Sequence, residues 1–350
     1  LSPNTSDLDS SQGSPAPRDG SESSARTPAD DLPMPTRMLE MRLLHHYLTS
    51  TYHTLAKDGL SAYNWSIKIP RMATSFPYLL DSILTFSALH LATLEPDNRL
   101  SWLDAAVRYQ SQSCSGMGKI LPIVTPEHSE PAFLSSVFIL LFATGFSGLS
   151  RANHPMDPIT AVVEMRTLMS GCAMLFGRLL ERAPQELEDW LSLPEAQESF
   201  QSKEKPNGDG ATIEETQKLF DLHKNLMNSL VRLQSIIETD QSPNQPVYQS
   251  TWGILHQVIE PWPKIGIHGG VIAWPLYIGE NFISLVQSGD WTARVLFLHY
   301  SVAMCLMCNR WYVRDWGHRA ILAILEPLDE IPPQWEQTIS WIEKVVDINS

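Results

Sequence analysis

GDWTARVLFLHYSVAMCLMCNRWYVRDWG, residues 289–317, is the stretch whose reading decides the fold. Gly289-Asp290-Trp291 suits a turn followed by a helix start, with Asp290 as N-cap and Trp291 at the first helical position. Phe297, Tyr300, Met304 and Trp311 then recur at spacings that share one broad apolar face, which predicts a helix over 291–313. A following helix is expected over 315–327. Aromatic and Met stripes of this kind are ordinarily core packing, so other helices must cover this one.

Working outward, the same periodicity recurs through most of the chain. Leu44, Tyr47, Leu48, Thr51, Tyr52 and Leu55 fall at helical spacing, with Gly59 where a C-cap would stand. Pro77 opens a helix to about residue 93, with Leu80, Ile83, Leu84, Ser87, Ala88 and Leu91 on one face and small residues that permit close helix approach. Helices are expected over 98–115, 131–147 and 158–180, the last two apolar around much of their circumference and therefore central. Residues 184–211 turn polar and read as a loop; Thr212 to Glu215 then has capping-box spacing ahead of a long helix carrying Leu219, Leu226, Leu230, Leu233 and Ile237. Further helices are expected over 247–259, 275–288 and 333–347. No strand array competes, and no solenoid-length repeat is visible. The expected fold class is all-α: an irregular multi-helix bundle of about ten or more helices around one large core.

Residues 1–37 are rich in Ser, Pro, Asp and Gly, carry Ser2-Pro3, Ser14-Pro15 and Thr27-Pro28, and read as a disordered linker ahead of a helical domain over 38–350. The first residue is Leu1, and neither a basic n-region nor an apolar h-region follows, so the chain reads as an internal fragment without a secretory signal. A formal net charge of −14 opposes nonspecific binding to phosphate backbones. The 133–146 run is short and interrupted by serines, so no membrane span is expected. Cys114, Cys172, Cys305 and Cys308 are too few and too scattered for a disulfide-stapled secreted domain.

Trp274-Pro275, Phe282, Gly289-Asp290-Trp291, Ala293, Leu296, His299-Tyr300, Trp311-Tyr312 and Asp315-Trp316-Gly317 together resemble the C-terminal part of the fungal-specific domain of zinc-cluster (Zn2Cys6) transcription factors. The front agrees. Residues 40–47 (EMRLLHHY), Ile69-Pro70, Phe76-Pro77-Tyr78-Leu79-Leu80 and Ala88-Leu89-His90-Leu91-Ala92 are similar to the opening helices of that family, most of all to its sterol-uptake control regulators. The resemblance implies a nuclear regulatory region, with shuttling from the cytoplasm open to it. The resemblance further implies a sterol or other apolar ligand held between helices, transcriptional coactivators or a second copy as partners (a homodimer), and contact with DNA only through an upstream six-cysteine zinc module that this fragment is expected to lack. No cofactor is expected within the fragment itself.

For the wall of an apolar pocket, amphipathicity nominates Phe138, Phe142, Met165, Met169, Trp274, Phe282, Phe297, Tyr300, Met304 and Trp311, with Tyr300 or His299 supplying one polar contact to a ligand hydroxyl. Catalytic chemistry finds little support. Cys305-Leu306-Met307-Cys308 lies inside the expected apolar helix without the further ligands zinc needs, so both thiols read as buried small hydrophobes. Gly145-Phe146-Ser147-Gly148-Leu149 misses the final glycine of a nucleophile elbow. Of His45 and His46, about 100° apart on a helix, at most one faces the core. The expectation is a non-enzymatic regulator, or alternatively a ligand-free helical interaction domain.

Overall fold

The structure, a computed structural model, describes residues 36–56, 62–123, 125–150, 157–182, 213–262, 268–308, 310–325 and 330–348. The leader up to residue 35, Gly59 and Thr212, and the whole of the expected 184–211 loop, lie outside them. The chain divides into two units, residues 1–39 and 40–350. Within the described residues there are thirteen α-helices and no strand. They are α1 (Thr36–Thr49), α2 (Ile69–Ala73), α3 (Pro77–Leu94), α4 (Arg99–Ile120), α5 (Pro126–Ser150), α6 (Pro158–Arg182), α7 (Ile213–Thr239), α8 (Gln245–Ile259), α9 (His268–Tyr277), α10 (Glu280–Gln287), α11 (Trp291–Cys305), α12 (Trp316–Leu325) and α13 (Glu336–Ile348).

Two helices are swallowed by the core. Every residue of α3 from Ser82 to Ala92 and every residue of α11 from Val295 to Cys305 is buried. Polar side chains on α3 are satisfied locally or by close neighbours: Ser87 Oγ donates to the Leu43 carbonyl at 2.6 Å, and the Ser82 and Ser113 hydroxyls meet at 2.7 Å. Helices α3 and α4 approach so closely that a Cβ on Gly116 would stand 2.8 Å from Tyr78 Cβ. Helix α5 packs on α3 and α6, while α11 is enclosed by α7, α8, α9, α10, α12 and α13.

Several boundaries differ from the sequence expectation. The helix starting at Trp291 ends at Cys305 rather than 313, and residues 306–308 and 311–315 form turns, with Arg314 at φ +46°. The cause is tertiary: Arg310 Nη1 donates to the Thr54 carbonyl at 2.6 Å and Trp311 Nε1 to Thr54 Oγ1 at 3.0 Å. Those two anchors hold the chain in a turn at the far end of the sequence. Cys308 consequently lies beyond the helix and is exposed, so the expectation of two buried thiols is corrected; only Cys305 is buried. The expected 275–288 helix is two, broken at Ile278-Gly279, and the first begins earlier, at His268, carrying Pro275 inside. Residues 64–68 add a wide π-turn leading into α2.

Helix α5 begins at Pro126 and carries Pro131 in its second turn, where only one amide donor is lost. Its Pro126–Phe146 stretch of 21 residues is long and apolar enough to cross a membrane, contrary to the reading that started the run at Phe133. More than half of it, 56%, is buried against neighbouring helices, the environment of a core helix. The Asp290 expectation holds in detail: its side chain accepts from the Ala293 amide at 2.9 Å, and Gly289, at φ +85°, makes the turn before it.

Candidate functional site

Helix α11 presents Phe297, Tyr300 and Met304 inward, all 2% exposed or less. The Tyr300 ring stacks on Trp274 of α9, with centroids 4.3 Å apart, and Phe282 of α10 meets Trp274 edge-on at 5.8 Å. Phe297 lies 6.0 Å from Tyr300, and Trp316, opening α12, closes the far side at 5.8 Å. Four of the nominated residues thus gather in one nest. Trp316 belongs to it as well, although it was read only as part of a motif.

Two polar atoms inside this nest have no hydrogen-bond partner among the described residues: the Tyr300 hydroxyl and the Trp274 indole N–H. Both side chains are fully buried. Leaving such groups unpaired costs about 1–3 kcal/mol each. Burial also pushes the Tyr300 hydroxyl far above its usual range, so it stays a neutral donor.

Phe138 and Trp311 fall in a second nest, bridged by Phe86, whose ring is 5.6 Å from Phe138 and 4.8 Å from Trp311. Tyr47 and Trp65 pack edge-on against Phe138, and the Tyr47 hydroxyl donates to the Trp65 carbonyl. His90 stacks on Trp311 at 4.9 Å and takes hydrogen bonds at Nδ1 with His46 Nε2 (3.2 Å) and Thr51 Oγ1 (3.1 Å). Burial lowers His90 to about 4. His46 faces this cluster and His45 is exposed, as their 100° separation requires. Among the described residues no ring pair joins the two nests.

The remaining nominated residues scatter. Met165 and Met169 are buried along α6, and Phe142 is half-buried, stacked on Phe146 at 5.0 Å. His299 turns away from Tyr300. Its Nδ1 lies 2.7 Å from the Val295 carbonyl and must donate there, so in the neutral ring Nε2 accepts from the Ser229 hydroxyl at 2.9 Å. Burial lowers His299 to about 4, which keeps it in that neutral form. Both ring nitrogens are therefore committed to protein partners, leaving Tyr300 and Trp274 as the free donors of the first nest.

Two clefts formed by the described residues, of about 330 and 210 Å3, are lined by none of the eleven nominated residues. Phe86, Tyr47 and Trp65 escaped nomination because each lies on a different segment from Trp311, and no sequence spacing announces that they meet. Gly145 packs where a Cβ would stand 3.0 Å from Leu89 and 3.3 Å from Tyr312, so helix crossing accounts for the glycine of the imperfect G-x-S-x-G. Among the described residues no group of three His, Cys, Asp or Glu side chains could hold a metal ion.

The described residues form a helical body without strands, with aromatic side chains gathered in two buried nests. Residues 42–205 of the chain match the fungal specific transcription factor domain, and the chain is similar to fungal Zn2Cys6-type transcription factors. A Zn(2)-C6 fungal-type transcription factor of Gibberella zeae is 24% identical over 318 residues, covering 87% of this chain and 61% of that protein. A second, from Aspergillus fumigatus, is 33% identical over 93 residues, 26% of this chain and 25% of its own. Sterol uptake control protein 2 of Candida albicans is 41% identical over 59 residues, 17% of this chain and 8% of that protein. The chain thus spans 61% of the first of these relatives and far less of the others. The first alignment must run well past residue 205, in keeping with a core that ties Thr54 to Arg310 and Trp311.

Proposed function

We propose that this chain is the regulatory region of a nuclear fungal zinc-cluster transcription factor, tethered by residues 1–37 to a separate DNA-binding module and adjusting transcription in response to an apolar ligand of sterol size. The observation that carries the ligand is the pair of buried, unpartnered donors, Tyr300 and Trp274, stacked face to face within an otherwise carbon-lined nest. A ligand with one oxygen on a large apolar frame satisfies a donor and removes several hundred Å2 of carbon surface from water. That burial supplies on the order of 10 kcal/mol before the costs of binding. The likeness of 59 residues to sterol uptake control protein 2 supports the same chemistry.

The rings now fill the nest by packing on one another, so ligand entry requires Trp274 and α9 to part from Tyr300. The ligand then shifts the domain toward the opened arrangement by no more than its differential affinity for it. That packing equally favours a second reading, a ligand-free interaction or dimerisation domain that docks coactivators. Native mass spectrometry of the full chain purified from a eukaryotic host separates the two. Under the first reading it carries a stoichiometric apolar molecule, and Tyr300→Phe loses most of it while remaining folded, because the hydroxyl has no protein partner. A protein that stays empty after incubation with ergosterol and total lipid extract refutes the ligand, and a dimer in sedimentation would then favour the second reading.

A further inference from the structure

The larger cleft has a composition unlike the rest of this acidic chain. It is lined by Asn225, Asn228 and Arg232 from α7 and by Gln337, Ser340, Trp341 and Lys344 from α13, with a volume of about 330 Å3. Spacings of three and four put each set on one stripe of its helix. The cleft thus lies between two facing rows, with α11 packed against both helices. His299 of α11 lies beside it: its ring is 6.1 Å from Trp341, it holds Ser229, and it feels the Arg232 charge.

Among the described residues no carboxylate lines the cleft, in a chain with a formal net charge of −14. Arg232 has Asn228, Ser229, Ser235 and Ile236 at its helical neighbour positions, so α7 offers it no acidic partner. Neither Arg232 nor Lys344 forms an ion pair among the described residues. What remains is a planar guanidinium fork, an ammonium, a hydroxyl and side-chain amides, a donor-rich set suited to an oxyanion, beside an indole on which a flat or apolar group can rest. The volume lies at the lower end of the ~300–1,000 Å3 of small-molecule sites.

We infer that this cleft binds a small oxyanion, a metabolite carrying a phosphate or carboxylate group held between Arg232 and Lys344, with its carbon portion against Trp341. The site is distinct from the aromatic nest, and neither depends on the other. Its nearest link to the central helix is Trp341, whose ring lies 6.1 Å from that of His299.

The test follows the indole N–H resonance of Trp341, assigned by Trp341→Phe, in the 15N-labelled full chain. Sodium phosphate and, in a parallel series, sodium succinate are titrated at ionic strength held constant with chloride. A saturable shift with phosphate, with succinate or with both is expected, and the stronger of the two identifies the preferred group. Arg232→Gln and Lys344→Gln, at exposed positions, each weaken the apparent affinity about three- to ten-fold. Lys344→Arg restores it, and Lys218→Gln, elsewhere on α7, leaves it unchanged. A shift that never saturates, one that chloride alone reproduces, or an affinity in both Gln variants equal to that of the parent would overturn the inference.

Discussion

Alanine at Gly317 puts a methyl carbon against the backbone of the central helix. Its nearest neighbours are the Ser301 carbonyl oxygen, Cys305 Sγ at 2.8 Å and the Cys305 amide nitrogen at 2.9 Å. Ordinary carbon–oxygen contacts lie at about 3.3–3.6 Å. Two of the three obstacles are main-chain atoms of α11, which is enclosed by six other helices, so no side-chain rotation relieves the clash. Helix α12 must therefore shift away from α11, loosening the contact of Trp316 with Tyr300. Overpacking of this kind costs about 1–3 kcal/mol and more where backbone blocks relaxation, while alanine regains about 1 kcal/mol of helix propensity over glycine. The net expectation is a loss of about 2–3 kcal/mol, roughly 1 M in urea midpoint at a slope of about 2–3 kcal/mol per M. Unfolding followed by far-UV circular dichroism measures it. Gly118→Ala and Gly171→Ala are the controls, because a Cβ at either meets nothing within 4 Å, and both should be neutral or slightly stabilising. If Gly317→Ala unfolds at the same urea concentration as the parent, the α11–α12 crossing is not as close as described.

Acid should destabilise the fold through its buried histidines. His90 and His299 are lowered to about 4 by burial, so between that value and 6.5 the unfolded chain binds more protons than the folded one. Stability is present above pH 6.5 and is lost as pH falls toward 4, at up to about 1.4 kcal/mol per pH unit for each histidine. Asp81, raised by burial to about 6, opposes this between its ordinary 3.8 and that value. A urea midpoint that is flat from pH 7 to 5 in the parent would refute the assignment, and a His90→Gln, His299→Gln variant should show the shallower slope. Asp290→Ala removes both the cap on Ala293 and the acceptor for the Tyr248 hydroxyl at 2.9 Å, with an expected loss of about 1–2 kcal/mol. Thermal unfolding checks this, and Asp290→Asn, which keeps a capping oxygen, should recover most of the loss.

Local chemistry made much of the architecture legible. The Pro77 start, the apolar faces of α5 and α6, the long α7 and the Asp290 cap are each written within a few neighbouring residues, where helical period and capping act. What the periodicity misplaced was the end of α11, because Leu306, Met307 and Trp311 continue an apolar pattern that Thr54, more than 250 positions earlier, turns aside. The residues nominated for a pocket show the same division. Burial of Trp274, Phe282, Phe297 and Tyr300 followed from their types, whereas their assembly in one nest required α9, α10 and α11 to converge.

The sequence by itself therefore determined the all-α class and the order of the helices, since hydrophobic period, proline and caps are short-range signals. Tertiary structure alone decided which buried groups find partners. His299, nominated beside Tyr300, spends its nitrogens on Val295 and Ser229, while Tyr300 and Trp274 keep theirs free. The physical reason is that adjacent residues on a helix point about 100° apart. Whether a donor is satisfied depends on what other helices bring to its side, and no local pattern encodes that.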